Sequence, residues 1–408
     1  VTPHHTVKAI GGLKGAGLLV NEKSIDDRML EWRHHLHQRP ELGFKEQATS
    51  EFVAERLAEF GLAVHCGLGG TGVVATLRAG TGTRAIGLRA DIDALAIQEL
   101  PGRDWGSTRA GQMHACGHDG HTATLLGAAY KLSRDRDFNG IVHFIFQPAE
   151  EHGRGALRMI EDGLFEQFPA EEIYGIHNIP GMTAGTFATR PGPLMGAEDN
   201  FEIVIKGTGG HAARPHLVTD PLVTASALVM ALQTIVSRKV DPADPAVVSV
   251  TEFLTNGLRN AIPSTVTIRG DTRSFTTSVS ALIEREMFRI ATATATAYGT
   301  TIEAFSYTRE FVPTVNAPDP TAVAIRTAQS VFGAGNVDGD CEPMMISEDF
   351  ARFLERVPGN FAFIGNGAAG EHGGAPLHSP GYDFNDALLS PVSEYFCALV
   401  RERLPARA

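Results

Sequence analysis

The chain has 408 residues, of which 43% are apolar and 20% charged. These are ordinary globular values, which exclude a disordered chain, and the length suggests two or three domains. Lys and Arg number 35 against 47 Asp and Glu, a formal charge of −12 with no basic stripe, which excludes a non-specific nucleic-acid binder and argues against docking on an anionic membrane.

Residues 1–23 hold Lys8 and Lys14 among several glycines and read as an N-terminal extension, not a targeting segment. No apolar run reaches the ~18–20 residues that span a bilayer. Residues 24–62 read as two helices, interrupted at Pro40-Glu41-Leu42-Gly43 and ended by Gly61. Val73 to Leu77 and Ala85 to Leu88 read as short strands. A Gly/His-rich loop then leads into a helix over Thr122 to Leu132, and Ile141 to Phe146 is a continuous apolar run, hence a buried strand. Buried runs alternating with helices predict an α/β fold with a mostly parallel sheet covered on both faces.

The pattern changes near Ala197. Asn200 to Lys206 alternates as an amphipathic strand, Pro221 to Val236 is helical, and Val247 to Phe253 and Thr265 to Arg273 are strands. A helix over Ser280 to Ala297 and a strand over Ile302 to Tyr307 complete the order β-α-β-β-α-β, the ferredoxin-like unit. The spacing predicts a domain over 199–310 inserted into one built from 24–198 and 311–408. After Pro313 helix and loop patterns return, over Thr321 to Phe332, Phe350 to Arg356 and Leu388 to Leu404.

Four cysteines, Cys66, Cys116, Cys341 and Cys397, are too sparse for a disulfide framework and point to a reduced, cytoplasmic setting. The sixteen histidines do cluster. Met113-His114-Ala-Cys116-Gly-His118-Asp119-Gly-His121 sets a thiolate and an imidazole two residues apart in a glycine-containing loop, so both can reach one ion. The strand ending at Gln147 is followed by Glu150 and Glu151, at the carboxyl end of a strand, where open α/β sheets place their sites. A solvated surface turn explains that Glu pair equally well when it is taken alone. His177 ends a short apolar run and His378 sits in a Pro-flanked loop. Singly each fits a structural histidine; beside the Cys-His loop and the carboxylates they fit metal ligands.

Several segments occur in a fixed order: Arg33-His-His-Leu-His-Gln-Arg-Pro-Glu-Leu-Gly-Phe44, Leu88-Arg-Ala-Asp-Ile-Asp-Ala-Leu95, His114-Ala-Cys-Gly-His-Asp-Gly-His121 and Gln147-Pro-Ala-Glu-Glu151. They are followed by Gly175-Ile-His-Asn178, Gly207-Thr-Gly-Gly-His-Ala-Ala-Arg-Pro-His216, Asn260-Ala-Ile-Pro263, Ser347-Glu-Asp-Phe350 and Leu377-His-Ser-Pro380. Together they resemble the hippurate hydrolase branch of the di-metal aminoacylase and carboxypeptidase superfamily, which includes N-acyl-amino-acid amidohydrolases and plant enzymes that cleave auxin conjugates. The resemblance covers residues 25–405.

It implies a catalytic domain with two divalent ions (Zn, Mn, Co or Ni) and an inserted lid that also makes a homodimer. By motif, Cys116, His118, Glu151, His177 and His378 would be the ligands, Glu150 the general acid/base and Asp91 a carboxylate orienting a ligand. His211 resembles a lid histidine that reaches a neighbouring subunit's site; without the resemblance it reads as a surface residue. Asn260 and Arg273 would bind substrate, and for Arg273 a carboxylate clamp and a surface ion pair are equally open. The implied activity is hydrolysis of the amide of an N-acyl or N-aroyl amino acid, a small-molecule substrate. Two alternatives stay open: hydrolytic deamination of an activated aromatic amine, and a metal- or ligand-binding protein without catalysis. Ala96, Gly196, His152 and Arg154 depart from the branch's pattern, and the last two follow the Glu pair closely enough to be expected in the pocket, which puts the substrate in question.

Overall fold

The computed structural model describes residues 23–406; the predicted extension lies almost wholly outside them. Helices α1 (Ile25–His37) and α2 (Gln47–Glu59) come first, then strands β1 (Ala63–Leu68), β2 (Gly72–Ala79) and β3 (Ala85–Asp91). Next come α3 (His118–Arg134), β4 (Gly140–Gln147), α4 (Gly155–Glu161), α5 (Leu164–Gln167), β5 (Glu172–Pro180), β6 (Phe187–Ala188) and β7 (Gly192–Met195). The middle of the chain forms β8 (Ala197–Lys206), β9 (Gly210–His211), α6 (Pro221–Arg238), β10 (Ala246–Thr255), β11 (Ala261–Ile262), β12 (Thr265–Ser274), α7 (Thr277–Ala297) and β13 (Thr301–Phe311). The last part is β14 (Thr314–Asn316), α8 (Pro318–Phe332), β15 (Val337–Asp338), α9 (Ala351–Leu354), β16 (Gly359–Gly367) and α10 (Leu389–Arg403).

The larger sheet has eight strands in the order β1-β2-β4-β3-β5-β16-β6-β15. Its centre is parallel: β3 pairs with β4 and with β5, and β5 with β16. Strand alternation explains why Ile141 to Phe146 reads as an unbroken apolar run. Val142, Phe144 and Phe146 face a core shared with α1, α3 and α10, while Ile145 faces a second core with Met159 and Phe353. Both faces are buried, and the one polar member of the run, His143, is hydrogen-bonded to Thr76 Oγ1 at 2.9 Å.

β16 is a correction to the sequence reading, which left this segment without a strand. Gly-Asn-Phe-Ala-Phe-Ile-Gly-Asn-Gly is poor in intrinsic strand formers, yet all nine residues are buried. Its place between β5 and β6 decides its structure. A second correction concerns α3, which starts at His118 and not at Thr122. Cys116 is therefore in the loop and His118 in the first helical turn. Gly117 caps this helix at φ +96°, and a Cβ there would lie 2.4 Å from both Asn178 Oδ1 and Tyr382 Oη. Only glycine fits both the backbone angle and the space.

The smaller sheet, β10-β12-β8-β13, is antiparallel throughout. α6 and α7 cover one face, burying Leu228, Leu232, Ile283 and Met287 against Ile203, Ile205 and Ile268. α6 alone among the described helices is long and apolar enough to cross a membrane by length and composition. No uninterrupted run showed this, because Thr224, Ser226, Gln233 and Thr234 break it. Its Leu228–Leu232–Ile235 stripe packs on the sheet. All four cysteines are free.

Truncating Phe144, which is fully buried at the centre of β4, should remove ~3–5 kcal/mol of stability. Chemical denaturation of Phe144→Ala would show this as a lower midpoint with an unchanged slope.

Candidate metal centre

The site lies at the carboxyl ends of the central strands. β3 ends at Asp91, β4 leads through Pro148 and Ala149 to Glu150 and Glu151, and β5 carries His177 and Asn178 near its end. The backbone is held in unusual shapes here. Ala149 has φ +49° and His378 φ +58°, two of three non-glycine residues with positive φ among those described. Such conformations persist where the surroundings over-determine them. At Ala149 the buried Glu46 does so, its Oε1 accepting the Ala149 N–H at 2.9 Å.

The donor atoms gather in overlapping groups, each within 4.8 Å: Cys116, Glu151 and His378; His118, Glu150 and Glu151; Asp91, His118, His121 and His177. Cys116 Sγ is 3.4 Å from His177 Nε2, and His378 Nε2 is 3.4 Å from Glu151 Oε1. The structure thus brings together Cys116, His118, Glu150, Glu151, His177 and His378.

The histidines are set up as ligands. His177 Nδ1 donates to the Asn178 carbonyl at 2.8 Å and His118 Nδ1 to the Asp93 carbonyl at 2.9 Å, which fixes the tautomer and turns each Nε2 inward. His118 Nε2 and Glu151 Oε1 are buried with no hydrogen-bond partner. Buried polar atoms without partners are rare, and here two of them converge. His121 differs, because its Nδ1 lies 2.6 Å from Asp91 Oδ1, and its Nε2 lies 2.8 Å from Asn178 Oδ1 and accepts the Asn178 N–H at 3.3 Å. Both ring nitrogens are engaged, so it supports the site.

The electrostatics point the same way. Burial and then Glu348 and Glu151 push the Glu150 carboxyl well above the usual carboxylate range. Burial and then Glu151 and Glu150 push the Cys116 thiol well up. Burial opposes charge on His118, but Asp91, Asp93 and Glu151 outweigh it and raise its pKa to about 10. The cluster retains protons because it holds more carboxylates than cations. Soft sulfur, imidazole and carboxylate donors with inward lone pairs fit two divalent ions, which would displace those protons.

Four residues were missed as parts of the site, or misassigned. Asp91, expected to orient a ligand, lies on His121, while Asp93 holds His118: the Asp93 Oδ1 is 3.2 Å from His118 Nδ1, and its Oδ2 accepts the Glu151 N–H at 3.1 Å. The signal was present, since Asp91 and Asp93 are two residues apart at a strand end. Asn178 and Arg89 lie inside the ordered segments Gly175–Asn178 and Leu88–Leu95 without an assigned role, and Glu46 carried no signal. The Arg89 guanidinium binds Asp91 at 2.7 Å and Glu348 at 2.8 Å inside the core.

The cavity above the donors has a volume of about 520 Å³ and is walled by Met195, Phe311, Leu377, Glu198 and Arg273. Arg273 is therefore in the pocket, although its charge is paired with Glu198 and Asp271. His211 and Asn260 are elsewhere, exposed on the β9–β11 ribbon, where the Ala212 N–H donates to the Asn260 carbonyl. Nor do His152 and Arg154 line the cavity, contrary to the sequence reading. His152 packs on Phe44, and Arg154 lines a separate crevice with Glu310.

A strand-end cavity with paired Cys/His/Glu donor groups and the buried Glu150 carboxylate beside them fits a hydrolase of the dinuclear-metal class. Residues 87–402 match the model of peptidase family M20/M25/M40. The chain is 40% identical to a hippurate hydrolase of Campylobacter jejuni over 91% of its own length and 95% of the relative's. It is 37% identical to an N-acetyl-L-cysteine deacetylase of Bacillus subtilis, over 94% and 90%. A solved dinuclear metal-binding peptidase of the M20 family from Bacillus subtilis superposes with a TM-score of 0.82 at 32% identity, covering 94% of this chain and 99% of that one. The chain belongs to peptidase family M20/M25/M40.

Asp93→Ala should weaken metal binding about 10- to 100-fold by freeing the His118 ring. Competition against a chelator of known affinity would measure it.

Proposed function

We propose that the protein is a metal-dependent amidohydrolase that cleaves the amide of N-acyl or N-aroyl amino acids to a carboxylic acid and a free amino acid. Glu150 carries this reading. It is buried within reach of the donor set, and burial and neighbouring carboxylates raise its proton affinity, as a general acid/base requires. A pure binding protein needs no such group. Hippurate and N-acetyl-L-cysteine, named in two relatives, are both N-acyl amino acids.

Cys116, His118, Glu151, His177 and His378 would hold two divalent ions, which supply a water acidified toward neutrality and polarisation of the scissile carbonyl. Glu150 takes a proton from the attacking water as its oxygen bonds to the carbonyl carbon. The same carboxyl gives that proton to the nitrogen as the C–N bond breaks. Asp93 holds the His118 ring, and the Asp91–His121–Asn178 chain braces the back of the site.

We propose further that residues 199–310 form a lid and that two copies pair through it. Both motif residues absent from the cavity, His211 and Asn260, lie on this segment and are exposed. β10 is an edge strand with Phe253 and Leu254 exposed, and α6 presents Met230 at 72% exposure. An open edge beside apolar side chains is a template for a second copy.

Metal-loaded wild type should release an amino acid from hippurate, N-acetyl or indole-acyl amino acids, and chelator should stop it. Glu150→Ala should abolish turnover and leave metal content nearly unchanged. Surviving turnover would sink the mechanism, and ammonia from a ring amine with silence on every amide would point to deamination. In sedimentation velocity the wild type should run as a dimer and the Met230→Glu/Leu254→Glu variant as a monomer.

A further inference from the structure

The cavity wall facing the strand ends comes from the helix-free face of the smaller sheet. Alternation along β8 and β12 puts Phe201, Ile203, Val266 and Ile268 under the helices. Glu198, Glu202, Arg269, Asp271 and Arg273 are left on the other face, where each arginine lies between two carboxylates. Arg269 pairs with Glu202 at 2.6 Å and Glu252 at 3.1 Å, far out on the sheet. Arg273 pairs with Glu198 at 2.8 Å and Asp271 at 2.7 Å, inside the cavity.

The cavity pair is fixed by register, since Glu198 stands opposite Arg273 on β12 and Phe311 on β13. All three nitrogens of the Arg273 guanidinium have acceptors in this chain: Nε donates to Asp271, Nη1 to Ser347 Oγ at 2.8 Å, and Nη2 faces Glu198. The fork that would grip a substrate carboxylate is occupied, and the wall is left with one negative charge in excess. Glu198 Oε2 meets Arg273, and among the described residues no other cation is within ion-pair distance of the carboxylate. Burial raises the proton affinity of Glu198, and Arg273 opposes this ahead of the smaller contributions of Asp271 and Glu310. Around it Met195, Phe311 and Leu377 are apolar and suit a methylene stem.

We propose that Glu198 makes this cavity select substrates bearing an ammonium or guanidinium group on an alkyl stem, with Arg273, itself anchored by Asp271, holding the Glu198 carboxylate in place. The proposal deepens the amidohydrolase reading and rests on it only for the scissile bond. An N-acyl amino acid with a lysine-type side chain fits the wall, and one with a second carboxylate is repelled.

The test compares Nα-acetyl-lysine, Nα-acetyl-norleucine and Nα-acetyl-glutamate as substrates of the metal-loaded wild type, Glu198→Gln and Glu198→Ala. A charge-assisted hydrogen bond at a half-buried carboxylate should favour lysine over norleucine about 10- to 100-fold in kcat/KM. Glu198→Gln should bring that ratio near one, chiefly through KM. Glu198→Ala, by unloading Arg273, should improve acetyl-glutamate relative to acetyl-norleucine. Metal content and thermal unfolding confirm that the variants are folded. An unchanged lysine-to-norleucine ratio in Glu198→Gln, or a wild type that prefers glutamate, overturns the proposal.

Calorimetric titration with free lysine and norleucine reads the same wall without turnover. Glu198-dependent preference for lysine with no hydrolysis of any acyl amino acid would uphold the wall and remove the amidohydrolase reading. Hydrolysis without charge preference would do the reverse.

Discussion

The site is organised around a surplus of buried negative charge. Asp91, Asp93, Glu150, Glu348 and Asp349 are all almost fully buried at the strand ends, and Arg89 is the guanidinium among them. Burying carboxylates is costly unless cations or hydrogen bonds compensate. Arg89 settles part of the charge by binding Asp91, Glu348 and Asp349 together. Burial and the charge that Arg89 leaves over raise the proton affinity of Glu150 and Cys116, and against burial the carboxylates raise that of His118. Divalent ions are the natural counter-charge, and their arrival exchanges protons for metal. Folding of the strand ends, metal binding and the proton affinity of the acid/base are thus one electrostatic problem.

Much of the fold was legible because its parts obey simple periods. The β-α-β-β-α-β order over residues 199–310 followed from alternation and helical spacing, and β4 from its apolar run. β16 was not legible, since its three glycines and two asparagines speak against a strand. Those residues serve close approach. A Cβ at Gly365 would lie 2.0 Å from the Thr183 carbonyl oxygen, and one at Gly359 2.0 Å from that of Ile173. Tertiary contact chose the residue types, and a local rule cannot see it.

The site divides along the same line. The candidate donors around Cys116 and Glu150 stood out because metal chemistry restricts ligands to a few side chains, whereas His177 and His378 stand alone in the sequence and fit ligands only beside that group and through the resemblance. The supports did not stand out. Glu46 fixes the Ala149 turn from more than a hundred residues upstream, and Asn178 on β5 reaches His121 on α3. Asp93 was within sight but passed over for Asp91, because sequence alone does not say which of two carboxylates lies under a given imidazole.

The two sheets have different tasks for a physical reason. The central sheet is buried on both faces, and Asp91, Glu150, Glu151 and His177 lie at or just beyond its strand ends. The smaller sheet is covered by helices on one face, and its other face is free to carry charge. A one-residue slip of β8 against β12 would turn Glu198 under the helices and expose Ala197 or Asp199 in its place. The apolar set Phe201, Ile203 and Ile205 forbids that slip. The packing that stabilises the inserted sheet therefore also determines which charge the cavity shows to its substrate, although no core residue of that sheet touches it.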